Sequence, residues 1–169
     1  MKRITIVADE NEERFKLYLS EALESLGLEH SFTKLKDAEE HMSIDYIILN
    51  SAFRHKYTEL NSTYCFVNMD NNFRDNINIF GNIITYGIGS RNTVTVSSLQ
   101  ENNLGFVYCI QRYLSLGIDN IIEPQEIPVH VEYLNDIHLY ALMMAVTIGL
   151  IEGLKCEEIE EKFSKKIYI

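Results

Sequence analysis

The sequence predicts an α/β protein with a mostly parallel, Rossmann-like sheet, flanking helices and a small antiparallel β-meander. Continuous apolar runs are typical of parallel strands covered on both faces, and they occur at residues 46–49, 64–67 and 83–86, after a first, β-branched run at residues 4–7. An amphipathic helical segment follows the first run, and segments of alternating apolar and polar residues follow the last. We expect residues 1–169 to form one domain, with residues 93–133 as its antiparallel extension.

The first strand and helix carry clear local signals. Asp9 and Glu12 have the spacing of a capping box, which predicts a helix that begins near Asn11. Gly27 suits the left-handed residue that ends a helix. A weak strand at residues 30–33 and a short helix at residues 37–42 are predicted next.

The second half of the chain predicts three antiparallel strands and two helices. Alternation at residues 94–97, 106–110 and 127–131 indicates strands with one buried side and one solvent-facing side. Pro124 and Pro128 bracket the start of the third strand, which favours an edge position because proline lacks an N–H donor. A central buried helix is predicted at residues 136–152, ending at Gly153. A second helix is predicted at residues 155–166, where acidic residues come early and basic residues late, an order that complements the helix dipole.

Composition and charge exclude several classes of partner. Acidic residues number 25 against 15 basic ones, and the basic residues are scattered, which argues against nucleic acid as a partner. The longest apolar stretch, residues 139–151, is shorter than the roughly 20 residues of a bilayer span. The amino-terminal segment is typical of a strand and not of a signal peptide. We therefore expect a cytoplasmic protein without a membrane partner.

The three cysteines indicate neither a disulfide framework nor a metal site. Cys65, Cys109 and Cys156 are far apart, form no Cys-x-x-Cys pair and have no histidine at ligand spacing. Cys65 and Cys109 lie in apolar runs, where a free thiol behaves as a small buried side chain. We expect reduced thiols, no metal and no cofactor.

Two polar segments at predicted strand ends are candidate ligand-binding sites. Gly87, Gly89 and Ser90 follow a strand directly, and a nest of backbone N–H groups there could hold a phosphate or carboxylate. The third glycine of the dinucleotide-binding motif is missing, so a tight turn between two strands explains this segment better. Asn68 and Asp70 follow another strand, where parallel sheets collect ligands, although the asparagine-rich residues 61–82 favour a loop.

No residue is predicted to be catalytic. His130 has the opposite phase to Val129 and Val131 and should face solvent, while His138 lies at the start of the buried helix. The sequence pairs neither histidine with a serine or cysteine nucleophile, and no carboxylate pair stands out. Surface or helix-capping roles explain both histidines.

From residue 64 onward, the order of segments resembles the later part of the central domain of the Mur ligase family, the ATP-dependent enzymes that add amino acids in peptidoglycan synthesis. Val67-Asn68-Met69-Asp70 is similar to that family's strand-end Asn-x-Asp-Asp, and Ile84-Thr85-Tyr86-Gly87 to its next strand and glycine. The strands at residues 93–99 and 127–131 resemble its small antiparallel sheet. The Glu-Glu-Ile after the long helix also matches, so the resemblance covers residues 64–163.

The chain departs from this family where ATP is held. No G-x-x-x-x-G-K-[ST] loop occurs in it, and that loop supplies the amide cradle and the lysine charge for the phosphates. Two asparagines that help to hold the adenine in the family correspond to His138 and Ala141 here. An alanine side chain forms no hydrogen bond with a base. The resemblance therefore implies a shared fold without use of ATP.

The first fifty residues separately resemble a response-regulator receiver. The matching segments are residues 4–10, followed by an amphipathic helix, and residues 45–50. Asn50 stands where receivers have the phosphoacceptor aspartate, and an asparagine is not a nucleophile there. The antiparallel segments after Thr93 do not belong to that fold.

We expect a non-catalytic Mur-ligase-like module, a pseudoenzyme or regulatory partner in a cell-wall-related or spore-related pathway. It should act through a protein partner or by self-association, and the sequence leaves its small-molecule ligand unidentified. A pseudo-receiver signalling domain that acts by protein contact is the alternative hypothesis. A small enzyme with a site that the sequence does not reveal is a third.

Overall fold

A mixed β-sheet with helices packed against it forms the core of the protein. The computed structural model describes residues 1–8, 11–36, 43–51, 58–71, 77–89 and 91–165. Its helices within these residues are α1 (Glu12–Leu26), α2 (Asp136–Ile151) and α3 (Cys156–Ser164). Its strands are β1 (Lys2–Val7), β2 (His30–Thr33), β3 (Tyr46–Leu49), β4 (Thr58–Asn68), β5 (Ile77–Tyr86), β6 (Val94–Leu99), β7 (Phe106–Ile110), β8 (Leu114–Ser115), β9 (Ile121–Ile122) and β10 (Gln125–Val129).

The main sheet is parallel in one part and antiparallel in the other. Its strand order, within the described residues, is β10-β7-β6-β5-β4-β3-β1-β2. The strands β2, β1, β3, β4 and β5 run parallel to one another. The strand β6 meets β5 in parallel at the pair of Tyr86 with Val94, and β7 and β10 then add in antiparallel orientation. The predicted α/β class with its antiparallel meander is confirmed.

The two faces of the sheet bury apolar side chains to different extents. One face contributes residues such as Ile6, Ile48 and Phe66 to the larger cluster, which also contains the apolar side chains of the three helices. The other face carries a smaller cluster around Ile47 and Cys65. The helix α2 is buried on nearly all sides, as its apolar sequence predicts, and it packs extensively against α1.

The carboxyl end of α2 is tied to the amino ends of the parallel strands. Glu152 follows α2 and accepts a hydrogen bond from the hydroxyl of Tyr46, the first residue of β3. The Nζ atom of Lys2 lies 3.1 Å from the other carboxylate oxygen of Glu152. Burial and the hydrogen bond to Glu152 raise the pKa of Tyr46. These contacts fix the position of α2 along the sheet, with its amino end at the opposite edge.

Several predicted boundaries differ from the observed ones. The N-cap of α1 is Asn11, so Glu12 is the first helical residue and the predicted capping box with Asp9 is wrong, although the predicted start of the helix is confirmed. Asp9 itself and the predicted helix at residues 37–42 lie outside the described residues. Gly27 ends α1 in the left-handed conformation, as predicted. Lys155 is the N-cap of α3, and the predicted last residue, Lys166, is not described.

The asparagine-rich stretch and the third alternating segment also differ from expectation. The strands β4 and β5 begin at Thr58 and Ile77, before their apolar runs, because the two backbones already pair there, so part of the asparagine-rich residues 61–82 is strand and not loop. The strand β10 ends at Val129, two residues before the predicted end, and Pro128 lies on the edge strand as expected. The hairpin of β8 and β9 was not predicted. Among the described residues, no helix is long and apolar enough to cross a bilayer.

Candidate functional site

A cluster of polar side chains lies at the carboxyl ends of β3, β4 and β5. Asn50 directly follows β3, Asn68 ends β4, and Tyr86 ends β5. Asp70 follows β4 by two residues, and Tyr140 reaches the same place from the amino-terminal half of α2. We call these five residues the strand-end cluster. Because the carboxyl ends of parallel strands meet at one edge of a sheet, this is the position where α/β proteins bind ligands.

The innermost part of the strand-end cluster is a hydrogen-bonded group of three buried side chains. Asn68 and Tyr86 are fully buried, and Asn50 is 6% exposed. The Oδ1 atom of Asn50 accepts hydrogen bonds from Asn68 Nδ2 at 3.0 Å and from the hydroxyl of Tyr86 at 2.7 Å. A buried amide or hydroxyl without a partner is costly, so these three residues depend on one another.

The outer part of the cluster is centred on the exposed carboxylate of Asp70. Its Oδ2 atom accepts a hydrogen bond from the backbone N–H of Ile88 at 2.7 Å and another from the hydroxyl of Tyr140 at 2.7 Å. The backbone N–H of Asp70 donates to Asn68 Oδ1 at 3.0 Å, which connects it to the buried group. Asp70 therefore joins the end of β4, the turn after β5 and the helix α2.

The turn after β5 requires a glycine at its first residue. Gly87 has a φ of 149°, and a Cβ atom there would lie 2.6 Å from Asp70 Oδ1 and 2.9 Å from Asn92 Nδ2. At Gly89 the same two side chains would be at ordinary contact distances from a Cβ atom. Asn92 closes the turn by donating from Nδ2 to the carbonyl of Gly89 at 2.9 Å. The close approach of Asp70 is thus possible because residue 87 lacks a side chain.

Both tyrosines of the cluster are neutral hydrogen-bond donors at neutral pH. Burial raises the pKa of Tyr86 well above its usual value, and the neighbouring Tyr140 adds to the effect. Burial also raises the pKa of Tyr140, and its hydrogen bond to Asp70 raises it further. The two rings meet edge to face, with centroids 5.9 Å apart. Tyr140 keeps its proton and donates it in a hydrogen bond to the Asp70 carboxylate.

The structure brings four of the five predicted ligand-binding residues together. Asn68, Asp70, Gly87 and Gly89 lie at one edge of the sheet, and Ser90 lies outside the described residues. Tyr140, Tyr86 and Asn92 also belong to this arrangement and were not predicted from the sequence. Tyr140 lies in a mostly apolar helix, where a tyrosine is typical of the core. No short sequence motif predicts the hydrogen bond between Tyr140 and Asp70, because the two residues are 70 positions apart in the sequence.

The two histidines lie outside the strand-end cluster, as their predicted roles require. His130 is exposed. His138 lies in the first turn of α2, where its backbone N–H donates to the N-cap Asn135 and its Nδ1 atom accepts from the backbone N–H of Leu134 at 3.2 Å. No group of three potential metal-ligating residues occurs in the part of the chain that the structure describes. Burial raises the pKa of Cys65 to about 12, so its thiol is unreactive at neutral pH.

The fold and the strand-end cluster define an α/β protein in which polar side chains at the carboxyl ends of the parallel strands hydrogen-bond to one another. No protein-family model matches the chain, and a search of curated proteins finds no significant match.

Replacement of Gly87 by alanine should destabilise the protein by about 1–3 kcal/mol, because the new Cβ atom meets Asp70 in a backbone conformation that alanine avoids. Gly89→Ala is the matched control, and it should cost less than about 1 kcal/mol. Urea unfolding of the two variants measures both values. Equal losses in the two variants would show that residue 87 has no special steric role.

The stability of the protein should fall as the pH rises above about 10, and Tyr86→Phe should make that fall shallower. Burial keeps Tyr86 neutral in the folded state, so the unfolded state loses its proton first, and each such tyrosine contributes a slope of about 1.4 kcal/mol per pH unit. Tyr113→Phe, at a residue that is 63% exposed, is the control and should leave the slope unchanged. Unfolding free energies measured by urea between neutral and alkaline pH test this. An unchanged slope in Tyr86→Phe contradicts the expectation.

Proposed function

We propose that the protein is a non-catalytic Mur-ligase-like module, a pseudoenzyme or regulatory partner that acts by protein contact or self-association. It lacks an ATP site and uses no cofactor in this role. We place it in the cytoplasm, in a pathway related to peptidoglycan synthesis. The pathway is proposed from the sequence resemblance of residues 64–163 alone.

The observation that carries the proposal is the position of the Asp70 carboxylate. Phosphate groups bind α/β proteins at the carboxyl edge of the sheet through backbone N–H donors of glycine-rich turns. Here the N–H of Ile88, in such a turn, donates to Asp70, and so does the hydroxyl of Tyr140. A phosphate at that position would lose both donors to a carboxylate and would be repelled by its charge.

The buried part of the strand-end cluster supports the same proposal. The side chain of Asn50 accepts from Asn68 and Tyr86, and the side chain of Asn71 donates to the Asn50 carbonyl. No lysine or arginine contributes to the hydrogen bonds of this cluster among the described residues, whereas a triphosphate site needs cationic partners. The polar groups at this edge of the sheet form hydrogen bonds with one another.

A pseudo-receiver signalling domain is the second candidate, and one observation favours it. The order β2-β1-β3-β4-β5 of the parallel strands is the order of flavodoxin-like and receiver proteins. The connections at residues 50–57 and 69–76 are shorter than the dozen or more residues of a usual parallel crossover, and β6, β7 and β10 have no counterpart in that fold. These differences count against the receiver candidate.

The wild-type protein should show neither a thermal shift nor hydrolysis with Mg-ATP at millimolar concentration, because Asp70 occupies the anion position. Asp70→Ala should gain weak binding of inorganic phosphate, since the N–H of Ile88 and the hydroxyl of Tyr140 lose their acceptor. Asp119→Ala, in the exposed hairpin between β8 and β9, is the matched control. Calorimetric titration and a phosphate-release assay measure these outcomes.

Saturable Mg-ATP binding with turnover by the wild type would refute the non-catalytic role. A thermal shift with a uridine-nucleotide muropeptide, without one for Mg-ATP, supports the ligase-like identity. If neither compound produces a thermal shift, the ligase-like part of the proposal is refuted.

Asn50→Asp separates the two candidate functions. The side chain is 6% exposed and bonded to Asn68 and Tyr86, so a small phosphodonor such as acetyl phosphate should leave the variant unmodified. Intact-mass spectrometry in the presence of magnesium detects a phosphoryl group directly, with the wild type as control. Stoichiometric phosphorylation of the variant favours the receiver hypothesis over our proposal.

A further inference from the structure

A concave surface separate from the strand-end cluster lies between α1, the amino end of α2 and the loops at one end of β6, β7 and β10. It encloses about 760 Å³, a volume typical of ligand-binding sites, and it shares no residue with the cluster. Its residues include Glu21, Leu104, Val131, Glu132, Leu134 and Leu142. We call it the leucine groove.

The walls of the leucine groove are held in place by the fold. The backbone N–H of Tyr133 donates to the carbonyl of Asn103 at 3.1 Å, which joins the two loops that carry Leu134 and Leu104. On the helical side, the rings of Tyr18 and His138 stack with centroids 4.3 Å apart, which joins α1 to α2. A surface with fixed walls loses little conformational entropy when a partner binds.

Apolar side chains converge on this groove from its rim and its floor. Leu104 is 54% exposed and Leu134 is 65% exposed at the rim, while Val131 and Leu142 are buried beneath them. Single exposed leucines are ordinary on protein surfaces. Two of them above an apolar floor in a concave surface form a place where an apolar side chain of a partner can be buried.

The charged residues of the groove are acidic. Glu21 and Glu132 are exposed, and no lysine or arginine is among the described residues that line the groove. Neither glutamate has an ion-pair partner among the described residues, in contrast to Glu12, Glu152 and Glu161. The whole chain carries a net charge of −10, which attracts basic partners over a longer range and repels a second copy.

We propose that the leucine groove binds a basic amphipathic peptide segment of a partner protein. A large aliphatic or aromatic side chain of that segment contacts Leu104 and Leu134, and lysine or arginine side chains pair with Glu21 and Glu132. This inference rests on the proposed function, because a module that acts by contact needs a surface for its partner. It adds the location of that surface and the chemistry of the partner.

A pair of labelled synthetic peptides tests the groove with the full chain. One is an amphipathic helical peptide of leucine and lysine, and the other has glutamate at each lysine position. Fluorescence anisotropy at physiological salt should show saturable binding of the lysine peptide, at least about tenfold tighter than that of the glutamate peptide. Leu134→Asn should weaken binding by about tenfold or more, and Glu132→Gln by about twofold to fivefold.

Matched variants in the β8–β9 hairpin and directly after it serve as controls. They test whether the lysine peptide is attracted to any acidic surface of the protein. Ile118 is fully exposed and Glu123 is also exposed, so Ile118→Asn and Glu123→Gln change the same chemistry outside the groove. These controls should bind the lysine peptide within about twofold of the wild type. Circular dichroism of all four variants confirms their fold, which is expected because each substituted side chain is exposed.

Three results overturn this inference. The first is equal binding of the lysine and glutamate peptides. The second is an equal loss of binding in the groove variants and the hairpin variants. The third is a dimer that Leu134→Asn dissociates, because the occupant of the groove is then a second copy of the chain. None of them bears on nucleotide use, so failure of the groove is distinguishable from failure of the proposed function. Mg-ATP turnover, conversely, refutes the proposed function whatever the peptide result.

Discussion

The carboxylate of Asp70 connects three parts of the molecule that are distant in the sequence. It accepts hydrogen bonds from the turn after β5 and from Tyr140 in α2, while its own backbone N–H is held by Asn68 at the end of β4. The buried group of Asn50, Asn68 and Tyr86 supports it from below, and the hydrogen bonds of that group satisfy polar atoms that would otherwise be buried without partners. The arrangement of this edge of the sheet depends on that carboxylate.

The strand-end cluster lies at the edge of the sheet where α/β proteins usually bind their ligands. In α/β proteins the same edge usually presents backbone donors to a ligand, and the protein gains its activity from what binds there. In this chain the backbone N–H of Ile88 donates to the exposed carboxylate of Asp70, and the absence of a side chain at Gly87 lets that carboxylate approach the turn. The leucine groove, which lies apart from this edge, presents apolar and acidic groups to solvent. These two features are the support for our proposal that the protein acts by contact with another protein.

The sequence predicts the architecture better than it predicts the site. Apolar runs placed the parallel strands, and alternation placed the antiparallel ones, because each pattern reflects the number of faces that a strand buries. The position of Asn68 and Asp70 at a strand end was also predictable. The contact of Tyr140 with Asp70 was not, since it depends on how α2 lies along the sheet, and that position is set by packing and by Glu152 at its other end. The hairpin of β8 and β9, with only two paired residues in each strand, was too short to give a pattern.

Amide hydrogen exchange at Ile88 tests the central claim most directly. If the Asp70 carboxylate holds that N–H, the amide exchanges slowly in the wild type and markedly faster in Asp70→Ala, while amides in the core of β3 keep their protection. Addition of Mg-ATP then leaves the wild-type rate unchanged. Fast exchange at Ile88 in the wild type, or protection that appears only when Mg-ATP is added, would contradict the account.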